Sequence, residues 1–275
     1  MAHQPSTLLP ATYLFVPADR PERFSKALAS GADQVIIDLE DAVRPDNKAV
    51  GRTAIADADL DWSRVVVRIN DMTTAFHDDD IALLRDVGAK TVMVPKAESA
   101  DMLAAISDAL GGDCHLLPQV ETVASLFVLP DLLASTGVVR ACFGHLDFAL
   151  DLGSGQDQQA LLHVRSQIVL QSRRADKPAP VDSVTPDFRN PEAVTADALA
   201  ARNLGFGAKL LIHPAQVDPV RRVFSPSADD IEWAHRVIAA VADDGRGAVS
   251  VDGQMIDRPV EEAARMILAR AERIG

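Results

Sequence analysis

Glu121 and Asp147 each close a long apolar run, 115–121 and 138–147, with few basic residues nearby in sequence. Two carboxylates brought together repel each other, which raises a pKa or recruits a cation. The chain has two cysteines, Cys114 and Cys142, and no paired histidines, so an ion here would be held by oxygen alone. Oxygen ligands favour Mg2+ over zinc, with Mn2+ as a substitute. On spacing alone, a helix cap or a surface acid remains the competing reading. Arg68 sits near the end of another apolar run, 64–70. A buried guanidinium needs an anion; Glu40, Glu121 and a bound substrate are the candidates. Asp38, Glu40 and Asp41 add three acids around the end of the run 34–39, placed for outer contacts through ion-bound water. The alternative there is a helix cap for Asp41 and a salt bridge for Glu40. Arg20, Arg23 and Lys26 form a small basic cluster, either a solvated helix face or an anion contact. His145 and His213 read as structural.

Strand-like runs at 12–17, 34–39, 64–70, 91–96, 115–121, 138–147, 179–184 and 208–214 must position these groups. Triplets such as Val35-Ile36-Ile37 and Val65-Val66-Val67 suit strands buried on both faces, as in parallel sheets. Between them lie helical patterns, among them 21–30, 99–110, 158–176 and 191–204, with Gly31, Gly111 and Gly205 just past three of their ends. About eight β-α units in roughly 220 residues predict an α/β fold, a (β/α)8 TIM barrel. An open doubly wound sheet is the alternative, but no G-x-G-x-x-G turn follows the first strand. Barrel enzymes place their chemistry at the C-terminal ends of strands, and nearly every run here ends in a charged or amide residue. Residues 1–224 therefore read as the catalytic barrel. Residues 225–275 are a C-terminal extension: a helix over 228–242, an extended segment over 248–260 turning at Asp252-Gly253, and a helix over 261–274. That extension is a packing arm or a lid.

The chain of 275 residues is long enough to bury a core without disulfide staples. A formal net charge of −13 disfavours a nucleic-acid partner. No apolar run approaches the ~20 residues of a membrane span, and residues 1–10 lack the pattern of a signal peptide. A cytoplasmic protein is expected, with no membrane partner.

The segments 14–24 (LFVPADRPERF), 31–43 (GADQVIIDLEDAV), Val67-Arg68-Ile69-Asn70, 94–98 (VPKAE), 119–122 (QVET), Phe143-Gly144 through Asp147, Asp151-Leu152-Gly153 and 212–217 (IHPAQV) occur in this order. Together they resemble the citrate lyase β-subunit-like family, the acyl-CoA branch of the HpcH/HpaI aldolase superfamily. The resemblance covers almost the whole chain. It implies a Mg2+-dependent carbon–carbon lyase acting on a 3-hydroxy carboxy-acyl-CoA thioester, with CoA as part of the substrate. Glu121 and Asp147 would be direct metal ligands. Arg68 would hold the thioester or the developing enolate oxygen. Asp19, Arg20, Lys26 and Lys96 would lie near the CoA entrance. The resemblance further implies a homo-oligomer, a trimer, whose C-terminal segment covers a neighbour's site and delivers Asp257 as the acid/base. Many relatives carry two adjacent acids where this chain has Leu146-Asp147, which leaves citryl, citramalyl and malyl thioesters all open as substrates. The rival expectations are a CoA-independent aldolase joining pyruvate to an aldehyde, a β subunit of a citrate lyase complex acting on citryl-acyl-carrier protein, and a non-catalytic scaffold subunit.

Overall fold

The computed structural model describes residues 10–243 and 249–271. Residues 10–220 form one compact unit and residues 221–275 belong to another. In the first, eight parallel strands close into a barrel in sequence order. They are β1 (Thr12–Pro17), β2 (Gln34–Asp38), β3 (Val65–Arg68), β4 (Thr91–Val94), β5 (His115–Val120), β6 (Cys142–Phe143), β7 (Val181–Asp182) and β8 (Ala208–Leu211). β8 pairs with β1 through Thr12↔Lys209 and Leu14↔Leu211, which leaves no open edge. This is the (β/α)8 barrel that the alternation of runs predicts.

Strand side chains alternate between faces with period two, and the barrel uses that period as layers. Tyr13, Ile36, Val66, Met93, Leu117, Cys142, Val181, Ala208 and Leu210 fill the interior. Two residues further along the same inward face come Phe15, Asp38, Arg68 and Gln119, so one step converts apolar filling into polar groups. The alternate residues Val35, Ile37, Val65 and Val67 are equally buried, which explains the unbroken apolar triplets.

Two strands are far shorter than the sequence suggests, and β3 and β8 each fall three residues short of their runs. The run 138–147 contributes only two ladder residues in β6, plus an isolated bridge from Val138 to Leu116. Gly144 stops β6 and becomes the N-cap of a helix, His145–Leu152. Asp147 is therefore in the first turn of that helix and not at a strand end, a position where the helix dipole favours a negative charge. The run 179–184 likewise reduces to β7. Asp182 faces outward there, receiving Arg165 Nη2 at 2.9 Å and Lys209 Nζ at 3.3 Å. It is a buried packing anion on the barrel's outer wall and takes no part in the polar rim at the mouth.

In the second unit, helix Ala228–Asp243 and helix Arg258–Ala271 pack through Ala234, Val237 and Ala264, flanked by Trp233, Val260, Ile267 and Leu268. Between them β9 (Val249–Val251) and β10 (Gln254–Ile256) form an antiparallel hairpin. Asp252 and Gly253, at φ 52° and 79°, make its two-residue turn. The last helix starts at Arg258, three residues before the expected 261, because Asp257 Oδ1 accepts from Val260 N at 3.1 Å. No helix among the described residues is long and apolar enough to cross a membrane.

Helix Pro191–Leu204 ends at Gly205, whose φ of 108° suits only glycine; a Cβ there would lie 2.8 Å from Val169 Cγ1. Gly205→Ala is expected to lower unfolding stability by about 1–3 kcal/mol. The measurement is the urea midpoint at constant m; an unchanged midpoint would show that the cap and its packing against Val169 carry no such strain.

Candidate active site

Arg68 ends β3 directly beside Asp38, which ends β2; the two are register partners. The guanidinium grips that carboxylate as a fork, Nε to Oδ1 at 2.8 Å and Nη2 to Oδ2 at 2.7 Å. Glu40 N donates to Oδ1 at 2.9 Å and Ala42 N to Oδ2 at 3.1 Å. All four of these donors are spent on Asp38, which anchors Arg68. Burial pushes the Asp38 carboxyl upward, but the Arg68 charge and hydrogen bonds outweigh it and hold the carboxyl below its ordinary range. Arg68 Nη1 stands 2.8 Å from Glu40 Oε2, at ion-pair range but outside hydrogen-bond alignment. The Phe15 ring lies 4.9 Å from the guanidinium carbon and covers one face. Burial opposes the Arg68 charge, yet Asp38 and Glu40 together strengthen it. Removing one partner of such a buried pair costs about 3–5 kcal/mol.

Glu121 follows β5 and is fully buried. Its Oε1 accepts from Lys96 N at 2.8 Å, and its Oε2 accepts from the Gln119 amide. Gly144, after β6, lies so close that a Cβ there would stand 2.7 Å from both Glu121 Oε2 and Gln119 Nε2. Only glycine permits that approach. Burial, then repulsion from Glu40, pushes the Glu121 carboxyl up to about 8, against the pull of Arg68 and Lys96. Lys96 Nζ donates to Glu40 Oε1 at 3.0 Å; burial opposes that ammonium, and the Glu40 hydrogen bond reverses the effect and raises its pKa. Gln119 Oε1 is buried without a hydrogen-bond partner among the described residues.

The structure thus brings Asp38, Glu40, Arg68, Lys96 and Glu121 into one charged cluster at the C-terminal mouth. Asp41 is its exposed margin, 4.0 Å from Arg68 Nη1. Asp147 lies three residues after the glycine that touches Glu121 and is half-buried. Asp19 accepts from Asn47 Nδ2 at 2.8 Å. Arg20 is exposed and lies 3.9 Å from Asp19. Lys26 is exposed on helix Phe24–Leu28. Among the described residues no hydrogen bond or ion pair joins Arg20 or Lys26 to the cluster. Asp257 belongs to the second unit and is exposed, capping its helix.

Three contacts escape a reading of the sequence. Asp38 as the fork for Arg68 was legible in principle, since both residues end neighbouring parallel strands. Lys48 was not: from helix Lys48–Ala56 its buried ammonium donates to the Leu39 and Glu40 carbonyls at 2.6 and 2.8 Å, fixing the turn that carries Glu40. His145 also proves to have a partner. Its ring Nδ1 is 2.5 Å from Ser183 Oγ, and its backbone N–H donates to the same oxygen at 3.0 Å. His213 caps the turn that follows β8, with Nδ1 accepting from Ala215 N at 3.1 Å.

A closed eight-stranded barrel with an ion-paired arginine, a lysine and a buried carboxylate at its C-terminal mouth has the architecture of a barrel enzyme. Residues 11–214 match the HpcH/HpaI aldolase/citrate lyase family, and the chain belongs to that family of carbon–carbon lyases. A citrate lyase subunit beta-like protein of Mycobacterium tuberculosis is 37% identical over 266 residues, covering 94% of each chain. A (3S)-malyl-CoA thioesterase of Cereibacter sphaeroides is 33% identical over 283 residues, covering 100% of this chain and 98% of the other. Among solved structures, the M. tuberculosis CitE protein in complex with magnesium, acetoacetate and coenzyme A superposes with a TM-score of 0.86. It is 36% identical, over 96% of this chain and 98% of that one.

The raised Glu121 pKa has a consequence for stability. Between the ordinary carboxylate range and about 8, the folded metal-free protein binds a proton that the unfolded chain has released. Unfolding free energy contributed by this group therefore falls as pH rises through that window and is level above it. Glu121→Gln removes the titration, so its stability relative to wild type in chelator should climb from pH 5 to pH 8. Parallel stability profiles for the two proteins would contradict the buried, proton-holding carboxyl.

Proposed function

We propose that this chain is a Mg2+-dependent lyase that cleaves a 3-hydroxy carboxy-acyl-CoA thioester (citryl-, citramalyl- or malyl-CoA) to acetyl-CoA and a 2-keto acid. The observation that carries the reading is the Arg68 fork. Asp38 takes two of the five guanidinium N–H groups and Glu40 pairs with Nη1, so N–H groups remain for a substrate oxygen. Their direction is set before substrate arrives, and preorganised donors act most strongly where negative charge develops.

The residues fit a hard divalent cation. The donor set is all oxygen: burial and Glu40 disfavour the Glu121 carboxylate unless a cation compensates it, and the buried Gln119 Oε1 lacks a donor. Among the described residues no three His, Cys, Asp or Glu side chains form a ready cage. Glu121 and Asp147 with several waters would therefore hold the ion, the usual arrangement for Mg2+. When bound, Mg2+ supplies Lewis-acid polarisation of the oxygen that becomes the keto carbonyl. Arg68 would hold the thioester oxygen, on which the enolate charge grows as the C2–C3 bond breaks. Asp257 of a neighbouring subunit would take the proton of the 3-hydroxyl. Its unit has its own small core, as an arm serving another copy requires, and a trimer is the proposed assembly. Lys96, with Asp19, Arg20 and Lys26 further out, would meet the CoA portion.

Thioester hydrolysis is the second reading, favoured by the full-length likeness to a malyl-CoA thioesterase. One assay separates them. Purified protein with Mg2+ is given citryl-, citramalyl- and malyl-CoA, and products are resolved by chromatography. Acetyl-CoA with a keto acid is the expected outcome, abolished by chelator and restored by Mg2+. Free CoA with an intact hydroxy acid would replace the lyase by the thioesterase, and keto acid formation from a CoA-free hydroxy acid would favour the simple aldolase.

Arg68→Lys keeps a charge but loses the planar fork. Turnover should fall by ~10²-fold or more, the scale for losing one oxyanion donor. A near-normal rate in that variant would remove Arg68 from the chemistry. Asp257→Asn should abolish cleavage while leaving Mg2+ binding intact. Mixed with Glu121→Ala subunits it should regain part of the activity; dead mixtures shown to contain both chains would exclude a residue supplied in trans.

A further inference from the structure

His145 and Ser183 form a pair that the lyase reading does not use. Ser183 follows β7 on the same inward parity as Val181, and His145 opens the helix after β6, so both stand at the mouth, beside the Gly144–Glu121 contact. The hydrogen bonding of the pair can be worked out. The backbone N–H of His145 can only donate, so Ser183 Oγ accepts it, at 3.0 Å. The hydroxyl proton then needs an acceptor. Among the described residues the sole other neighbour of that oxygen is His145 Nδ1, at 2.5 Å. With one of its lone pairs already taken, the hydroxyl is placed to donate to Nδ1, and a neutral imidazole with Nδ1 as acceptor carries its hydrogen on Nε2. The ring is half-buried, and Nε2 has no partner among the described residues. Ser183 is itself held: it is nearly buried, and its carbonyl accepts from the buried Lys209 Nζ at 2.7 Å.

We propose that Ser183 locks His145 as the Nε2–H tautomer and that this N–H donates to a carboxylate oxygen of the acyl substrate at the barrel mouth. His145 is then a specificity-determining residue and Ser183 its positioning residue. The substrate half of the inference rests on the reading of the mouth as an acyl-thioester and keto-acid site; the tautomer half does not. A neutral donor here complements Arg68 and Lys96, which supply charge. It selects for an acceptor oxygen at one place without adding another cation near Lys209 and Arg165, which share Asp182.

The test uses the full-length protein with histidine side chains labelled by 15N. Nitrogen–proton correlation spectra should show His145 with an unprotonated Nδ1 and a protonated Nε2. Ser183→Ala should lose that preference and Ser183→Thr, which keeps the hydroxyl, should restore it. A protonated Nδ1 in wild type, or an Ala variant with the same spectrum, overturns the lock. Titration with oxaloacetate and Mg2+ should then shift the His145 Nε2–H resonance. It should also give a Kd raised about tenfold in His145→Ala, the scale of one hydrogen bond to a charged group. Glutamine places an amide N–H near the Nε2 position and asparagine does not. His145→Gln should therefore recover most of the loss and His145→Asn little. Equal affinity of the Ala, Gln and Asn variants, or a resonance unmoved at saturation, overturns the substrate contact. If no acyl-CoA is turned over while the resonance still moves with oxaloacetate, the lyase reading fails and this contact stands.

Discussion

Arg68 on Asp38 is the interaction on which the mouth of the barrel depends. A guanidinium at this depth is tolerable only because the neighbouring strand supplies a carboxylate in register and the following turn supplies two amides to hold that carboxylate. Once fixed, Arg68 draws Glu40 inward, Glu40 draws Lys96, and the Lys96 backbone meets Glu121. The chain of alternating charges runs through the ends of four successive strands, β2 to β5. Its tightest link is the first, since removing Asp38 or Arg68 leaves the other buried without its fork. Lys48 guards the same arrangement from outside by holding two carbonyls of the turn that carries Glu40.

The barrel was legible in the sequence because its signal is repeated. Eight apolar runs with polar ends say the same thing eight times, and the helix stops at Gly31, Gly111 and Gly205 agree with the left-handed backbone found there. The site was legible to the extent that it follows strand ends: Arg68, Glu40, Lys96 and Glu121 all fall where the runs close. What failed was the extent of β6. The residues 138–147 carry an apolar pattern that a strand and an amphipathic helix share, and the change from one to the other at Gly144 depends on a contact with Glu121 more than twenty residues away in sequence. Asp182 shows the converse limit. It ends β7 as Asp38 and Arg68 end β2 and β3, but a one-residue difference in parity turns it outward to Arg165 and Lys209.

The second unit shows a different economy. Its two helices and hairpin bury only a small set of apolar residues, and its surface is stitched by pairs such as Arg236 with Glu232 and Asp252. Exposed pairs of this kind contribute little to stability. Met255, exposed on the hairpin, and Asp257, exposed just beyond it, are consequently presented by a short, locally determined structure and not by a deep core.

Lys96 is held with φ at 42°, a left-handed conformation that a lysine adopts at a cost. Glycine would relieve that cost and hold the turn more cheaply, but it has no ammonium for Glu40. The backbone and the ion pair with Glu40 therefore ask for different residues at this one position. A glycine here would relax the turn and leave Glu40 to Arg68 alone, whereas the lysine strains the turn and gives Glu40 a second cation. The residue found in the chain records which of the two demands has prevailed.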